Sequence, residues 1–193
     1  MSQQTPSQTV GPFFHYGLMT QPDMNVLVND YTQGQRILIR GQVRDGAGQP
    51  IPDALIEIWQ ADANGYFYHS ADPNSSLADP QFKGFGRADT LNNGEFTFQT
   101  IKPGAVTYDE RQSQAPHINV RVFSRGMLIH AYTRLYFSDE QVANELDPIL
   151  NLVEPERRTT LIAQLEPPVG QPTYRFNIVM QNENETVFFD PQL

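Results

Sequence analysis

The chain has no cysteine. That excludes disulfides, iron–sulfur clusters and thiolate zinc sites, so any metal would need His, carboxylate or Tyr ligands. Positive charge is also scarce: 13 Lys and Arg against 22 Asp and Glu give a formal net charge of −9. A nucleic-acid binder needs a basic footprint, and a protein docked on anionic lipid needs one too. The charge balance argues against both. No apolar run approaches the roughly 20 residues of a membrane-spanning helix. The polar start, Met1 to Gln8, has neither the basic head nor the apolar core of a secretory signal. A cytoplasmic protein is expected.

What is present points to a folded, turn-rich domain. Hydrophobic residues are 39% and charged residues only 18%, which is too apolar for a disordered chain. The length of 193 residues suits one domain with a sizeable core. Fifteen prolines and 13 glycines imply many turns. Strands are expected at 36–44, 54–60, 94–100, 117–123, 127–137, 174–180 and 186–189, where β-branched content or period-two alternation is clear. Asn92-Asn93-Gly94 is a hairpin turn signal. On 127–137 the core face is read as Met127, Ile129, Ala131, Leu135 and Phe137. The opposite face carries Leu128, His130, Tyr132, Arg134 and Tyr136. Trp59, Phe96 and Phe98 read as core. Helix is scarce: Ser138 to Gln141 matches a capping box for a short helix ending near Leu146, and Glu154-Pro155 can open another through Ala163. The fold class expected is all-β, a β-sandwich of mixed or antiparallel strands with one or two short helices. Residues 1–35 read as an irregular N-terminal arm and 36–193 as the sandwich domain.

Ala115-Pro116-His117-Ile118-Asn119-Val120 looks like half a metal site. Residues two apart on a strand share a face, so His117 and Asn119 project together. Two imidazoles there would make a two-point ligand set; the amide of Asn119 is a weak, neutral substitute. Taken alone, His117 is more simply a structural histidine. His15, His69 and His130 have no ligand-like spacing.

Four segments line up in order: Thr9-Val10-Gly11-Pro12-Phe13-Phe14; Pro52 to Phe67 with its Ile58-Trp59-Gln60-Ala61 run and Gly65; Thr100-Ile101-Lys102-Pro103-Gly104; and Pro116 to Val120. Together they resemble the intradiol ring-cleaving dioxygenases, over nearly the whole chain. The resemblance implies a non-haem Fe(III) enzyme that uses O₂ to cleave a catechol, with two tyrosinates and two histidines holding the iron. Carried over position by position, those ligands fall on Phe67, Val106, His117 and Asn119. The arginine that family members place just before the histidine pair falls on Gln114. Three of the four ligands are thus absent. Hetero-oligomeric members of the family pair an iron-bearing β subunit with a homologous iron-free α subunit, and this chain resembles the latter. The resemblance then implies no catalytic residue and no metal ligand in this chain. It implies Fe(3+) in a β partner, an arm contacting that partner, and a small aromatic acid as substrate. It places Arg134, within Thr133-Arg134-Leu135-Tyr136-Phe137, on the substrate carboxylate, where a bidentate, charge-assisted pair suits an arginine. It also places Thr9, Gly11, Pro12 and Phe13 at the pocket mouth.

Two other readings stay open at this stage. One is a metal-free β-sandwich module that binds a ligand unaided. The other is a self-sufficient dioxygenase with unusual ligands, in which a register slip brings the Tyr108 phenol in for Val106.

Overall fold

Alternation decides the first long strand. In β1 (Arg36–Arg44) the positions Ile37, Ile39, Gly41 and Val43 point inward and are buried. The strand pairs antiparallel with β4 (Glu95–Ile101), whose Phe96 and Phe98 bury beside them. Asn93 (φ 52°) and Gly94 (φ 75°) make the tight turn into β4, as the Asn-Asn-Gly signal predicts. The computed structural model describes residues 8–190, with residues 12–14 described by their backbone alone.

The remaining elements are α1 (Pro12–Leu18), β2 (Leu55–Trp59), β3 (Phe85–Asp89), β5 (Val106–Thr107), β6 (Ser113–Gln114), β7 (His117–Phe123), β8 (Ala131–Phe137), α2 (Gln141–Leu146), β9 (Ile162–Leu165), β10 (Thr173–Arg175) and β11 (Ile178–Val179). Nine strands form one mixed sheet in the order β11-β1-β10-β9-β8-β7-β2-β3, with β4 on the other side of β1. Strand β9 pairs with both β8 and β10 and so joins two layers. One layer is built on β4, β1 and β10, the other on β3, β2, β7 and β8. Their inner faces share a core in which Ile37, Ile39 and Phe98 meet Ile56, Val120, Val122 and Leu135. This is the all-β sandwich expected. A smaller cluster of Ala115, Tyr136, Leu150, Val153 and Leu161 lies on the other face of β8.

Several expectations change. The strand read over 127–137 begins only at Ala131. A turn at 124–127, with Gly126 at φ +84°, interrupts the extended path, and Ile129 is left 71% exposed. Tyr136 is fully buried under the smaller cluster. The capping box is not used: Ser138 Oγ accepts the amide of Leu165, and α2 starts at Gln141 without a side-chain cap. The helix expected from Pro155 is a single 3₁₀ turn, Arg158–Leu161, because Ile162–Leu165 is drawn into the sheet as the joining strand. Residues 186–189 contribute one bridge, Tyr132 to Phe189, rather than a strand. The segment 1–35 is not irregular throughout. Besides α1, residues 25–27 extend the sheet edge, with the Leu27 amide bonded to Gln99 O and its side chain buried. That side chain fills the space over Gly86.

Among the described residues no helix is long and apolar enough to cross a membrane.

Candidate functional site

Cross-strand register builds the floor of a cleft. Phe85 pairs with Trp59, Trp59 with Asn119, and Asn119 with Arg134, so four adjacent strands set these side chains in one row. Two residues along, Arg87, Glu57, Arg121 and Tyr132 form a second row on the same face. The loops around Ile149–Arg157 and Glu185–Asp190 close the other side, leaving a cleft of about 1170 Å³. Trp59 was expected in the core; it is instead a half-buried wall of this cleft, with the Phe67 ring stacked on it at 5.7 Å.

Of the four ligand-matching positions, Asn119 lines this cleft, Phe67 stacks on its Trp59 wall, Val106 pairs with Gln114, and His117 is two residues from Asn119 on β7. Gly65, at φ +85°, lies so close to Ala105 that a β-carbon would stand 1.9 Å from the Ala105 carbonyl oxygen. The Gly104 amide bonds to Asp62 O at 2.9 Å. These contacts lock the segment bearing Phe67 against the one bearing Val106. Phe67 then reaches Trp59, the register neighbour of Asn119. The donors at these positions are not suited to iron. Phe67 and Val106 offer no donor atom. The Asn119 amide oxygen accepts the Tyr132 hydroxyl at 2.5 Å. His117 is buried, and its Nδ1–H donates to Ala115 O at 2.8 Å. Burial, and then the nearby Arg134 charge, push its imidazole down to about 4, so the ring is neutral at pH 7. Burial and the facing Asp147 carboxylate push the Tyr136 phenol up, away from the tyrosinate form. One imidazole and one committed amide, beside an arginine, do not fit a ferric ion, which favours anionic oxygen and imidazole. Among the described residues no three His, Asp or Glu side chains come together as a metal-binding group. Tyr108 lines the cleft half exposed.

Arg134 lies in the cleft, half buried. It donates from one terminal nitrogen to Gln114 Oε1 at 2.7 Å and to the Tyr136 hydroxyl at 3.5 Å, and from Nε to the Tyr132 hydroxyl at 3.4 Å. All three acceptors are neutral. Gln114 thus stands where the family's arginine was expected and holds a different arginine in place. Behind this group, Asp147 is fully buried. Its carboxylate accepts the Tyr136 hydroxyl and the amides of Ala115, Ile149 and Leu150. No sequence pattern marks Asp147, because only tertiary contact gives it a partner 32 residues away. Nor does one mark Arg121 and Phe189, which join the cleft through strand register and one bridge.

The end of α1 reaches the second row, where the Arg87 guanidinium donates to Leu18 O at 2.9 Å, but the start of the arm lies elsewhere. Thr9 accepts the Gly126 amide at 2.8 Å, and its backbone oxygen accepts the Gly11 amide. Pro12 and Phe13 start α1, and their side chains lie outside the described residues. Ser124 to Gly126 lies past the end of β7, and five residues from Asn119 to Ser124 span roughly 17 Å of strand. The structure therefore does not bring Arg134 and Thr9 together into one site within this chain.

Comparisons with known proteins agree with this scaffold. Residues 9–182 match the dioxygenase family. The chain is 46% identical to a protocatechuate 3,4-dioxygenase alpha chain of Burkholderia cepacia, over 97% of this chain and 98% of that one. It is 30% identical to the beta chain from the same organism, over 84% of this chain and 71% of that one. Among solved structures, the dioxygenase domain of a carbohydrate-binding fusion protein from Streptomyces sp. SirexAA-E superposes with a TM-score of 0.60 at 26% identity, covering 96% of this chain and all of that one. Rhodococcus opacus 3-chlorocatechol 1,2-dioxygenase shares the fold, with a TM-score of 0.63 at 24% identity over 80% of this chain and 63% of that one. With this sandwich and these matches, the chain belongs to the intradiol ring-cleavage dioxygenase family.

Proposed function

We propose that this chain is the iron-free α subunit of a protocatechuate 3,4-dioxygenase. The whole enzyme cleaves 3,4-dihydroxybenzoate with O₂, between its hydroxyl-bearing carbons, to 3-carboxy-cis,cis-muconate. The Fe(3+) sits in a homologous β subunit, within a larger α/β hetero-oligomer in the cytoplasm. The observation that carries this reading is the family's sandwich with lost donors, Phe67, Val106 and Asn119, in a chain nearly half identical to a known alpha chain. The part assigned to this chain is to complete a pocket: to hold substrate in place and keep water out, which converts binding into orientation. Thr9, Gly11, Pro12 and Phe13 are proposed to border the partner's pocket. Arg134 is proposed to meet an aromatic carboxylate from this chain's own cleft, because it stands apart from Thr9.

The test is metal analysis and oxygen uptake on the chain purified alone and with a β partner. The expected result is no ferric iron in the lone chain, one per α/β pair, and cleavage of 3,4-dihydroxybenzoate by the pair alone. Stoichiometric ferric iron in the lone chain, with a phenolate-to-iron absorption band, would establish a self-sufficient enzyme instead. A monomer that ignores the β chain would favour the binding module.

A further inference from the structure

We propose that the cleft of this chain is itself a binding site, free of metal, for a planar aromatic monocarboxylate. It is separate from the iron-bearing site of the partner and does no chemistry. The choice of an aromatic acid as ligand rests on the proposed function; the existence of an anion site rests on the cleft alone.

Three observations converge. The first is charge. Arg134 is half buried and every oxygen it touches is neutral, so its guanidinium has no carboxylate partner among the described residues. Taking a cation part-way out of water is costly unless an anion faces it. Arg121, in the next row of the same floor, forms no ion pair among the described residues, its register neighbour Glu57 being bonded to Arg87 instead. Of the cleft's acidic residues, Glu57 is neutralised by Arg87, whereas Glu154, Glu185 and Asp190 come from the loops on the far side. The chain is acidic overall, so an unpaired arginine pair is local and specific rather than a general feature of its surface.

The second is shape. Trp59 and Arg134 stand two strands apart in one row, roughly 10 Å at sheet spacing. A benzene ring with a carboxylate at one end bridges that gap. It would place the carboxylate on the free edge of the guanidinium and the ring among Trp59, Tyr132 and Phe189. Tyr132 and Phe189 already meet edge-on at 6.2 Å and form an aromatic corner.

The third is pre-organisation. Gln114, Tyr132 and Tyr136 fix the guanidinium before any ligand arrives, and Asp147 fixes Tyr136 in turn. A cation held in place by neutral acceptors keeps its charge available and loses little freedom on binding. The cleft is thus built around a cation held by neutral groups, which calls for an anion.

The full chain without its partner tests this directly. Trp59 is the single tryptophan and lines the cleft, so its fluorescence reports occupancy. Titration with benzoate, checked by equilibrium dialysis, should show saturable binding of one equivalent per chain. Phenol should bind at least tenfold more weakly. Arg134→Gln should weaken benzoate at least tenfold, and Arg134→Lys should recover part of the loss. If the Arg134 variants do not fold, Gln114→Glu gives the same answer: a carboxylate at the oxygen that Arg134 already contacts should pair with the guanidinium and exclude benzoate. Absence of saturable binding, phenol binding as tightly as benzoate, or benzoate affinity unchanged in both Arg134→Gln and Gln114→Glu would overturn the proposal. None of these results depends on whether the chain forms an active iron complex, so the two readings can fail separately.

Discussion

Removal of the Asp147 carboxylate should show how much of the cleft's floor depends on one buried group. Asp147 is inaccessible to solvent and accepts four hydrogen bonds: from Ala115 N at 2.7 Å, Ile149 N at 2.9 Å, Leu150 N at 2.6 Å and the Tyr136 hydroxyl at 3.2 Å. Asp147→Ala leaves all four donors without an acceptor in a dry region. Each unsatisfied buried donor costs about 1–3 kcal/mol, and water entering the vacated space reduces the sum toward its lower end, about 4 kcal/mol. That is a large share of the 5–15 kcal/mol typical of a domain, and for this length it corresponds to a fall in Tm of about 8–16 °C. Asp147→Asn is the discriminating control. Its remaining oxygen can keep the Oδ1 contacts to Ile149, Leu150 and Tyr136, but its amide then faces the Ala115 N–H, donor against donor. One lost bond predicts about 1–3 kcal/mol, between wild type and Ala. Urea unfolding followed by circular dichroism measures both variants. Asp147→Ala within about 1 kcal/mol of wild type, or Asp147→Asn as damaging as Asp147→Ala, would rule out this role for the carboxylate.

Three further outcomes follow from the same geometry. Gly65→Ala combines φ +85° with a β-carbon 1.9 Å from the Ala105 carbonyl oxygen, so it should cost more than about 2 kcal/mol, whereas Gly48→Ala, also at positive φ but with open space around it, should cost about 1 kcal/mol; comparative melting of the two separates clash from strain. Protonation of His117 should destabilise the fold in acid: the native ring titrates at about 4 and an unfolded one at about 6.5, so the unfolded state binds more protons in that window, and stability falls by about 3 kcal/mol as pH drops from 6.5 to 4 and no further below it. His117→Gln should flatten that part of the pH–stability profile, and an unchanged slope in the variant would remove the assignment. Leu135→Ala, in the shared core, should cost about 2–5 kcal/mol, while Ile129→Ala should cost under about 0.5 kcal/mol, although both were read from sequence as core positions.

The strands that alternated large apolar with polar residues could be read directly, as in β1, β4 and β7. Strand β3 could not, because its inward residues are Gly86 and Ala88, too small to register as a pattern, and Leu27 from a distant segment supplies the missing bulk. The capping box at Ser138 misled because the serine hydroxyl had a better use across the sheet, on the Leu165 amide. Local propensity at Pro155 yielded to the need for a strand between two layers, since β9 gains two partners that a helix would forgo.

For the site, the sequence by itself determined the donor chemistry: Phe67 and Val106 offer no donor atom and Asn119 only a neutral amide, because what a position can donate is fixed by residue type. It also singled out Arg134. Where Arg134 lies was decided only by the tertiary structure. Strand register set it in one row with Asn119, Trp59 and Phe85, in this chain's own cleft and away from Thr9 and Gly11. The physical reason is that alternation along a strand tells which face a side chain takes, but its lateral neighbours come from other strands. Those pairings are set by the packing of two whole layers, which no local pattern encodes.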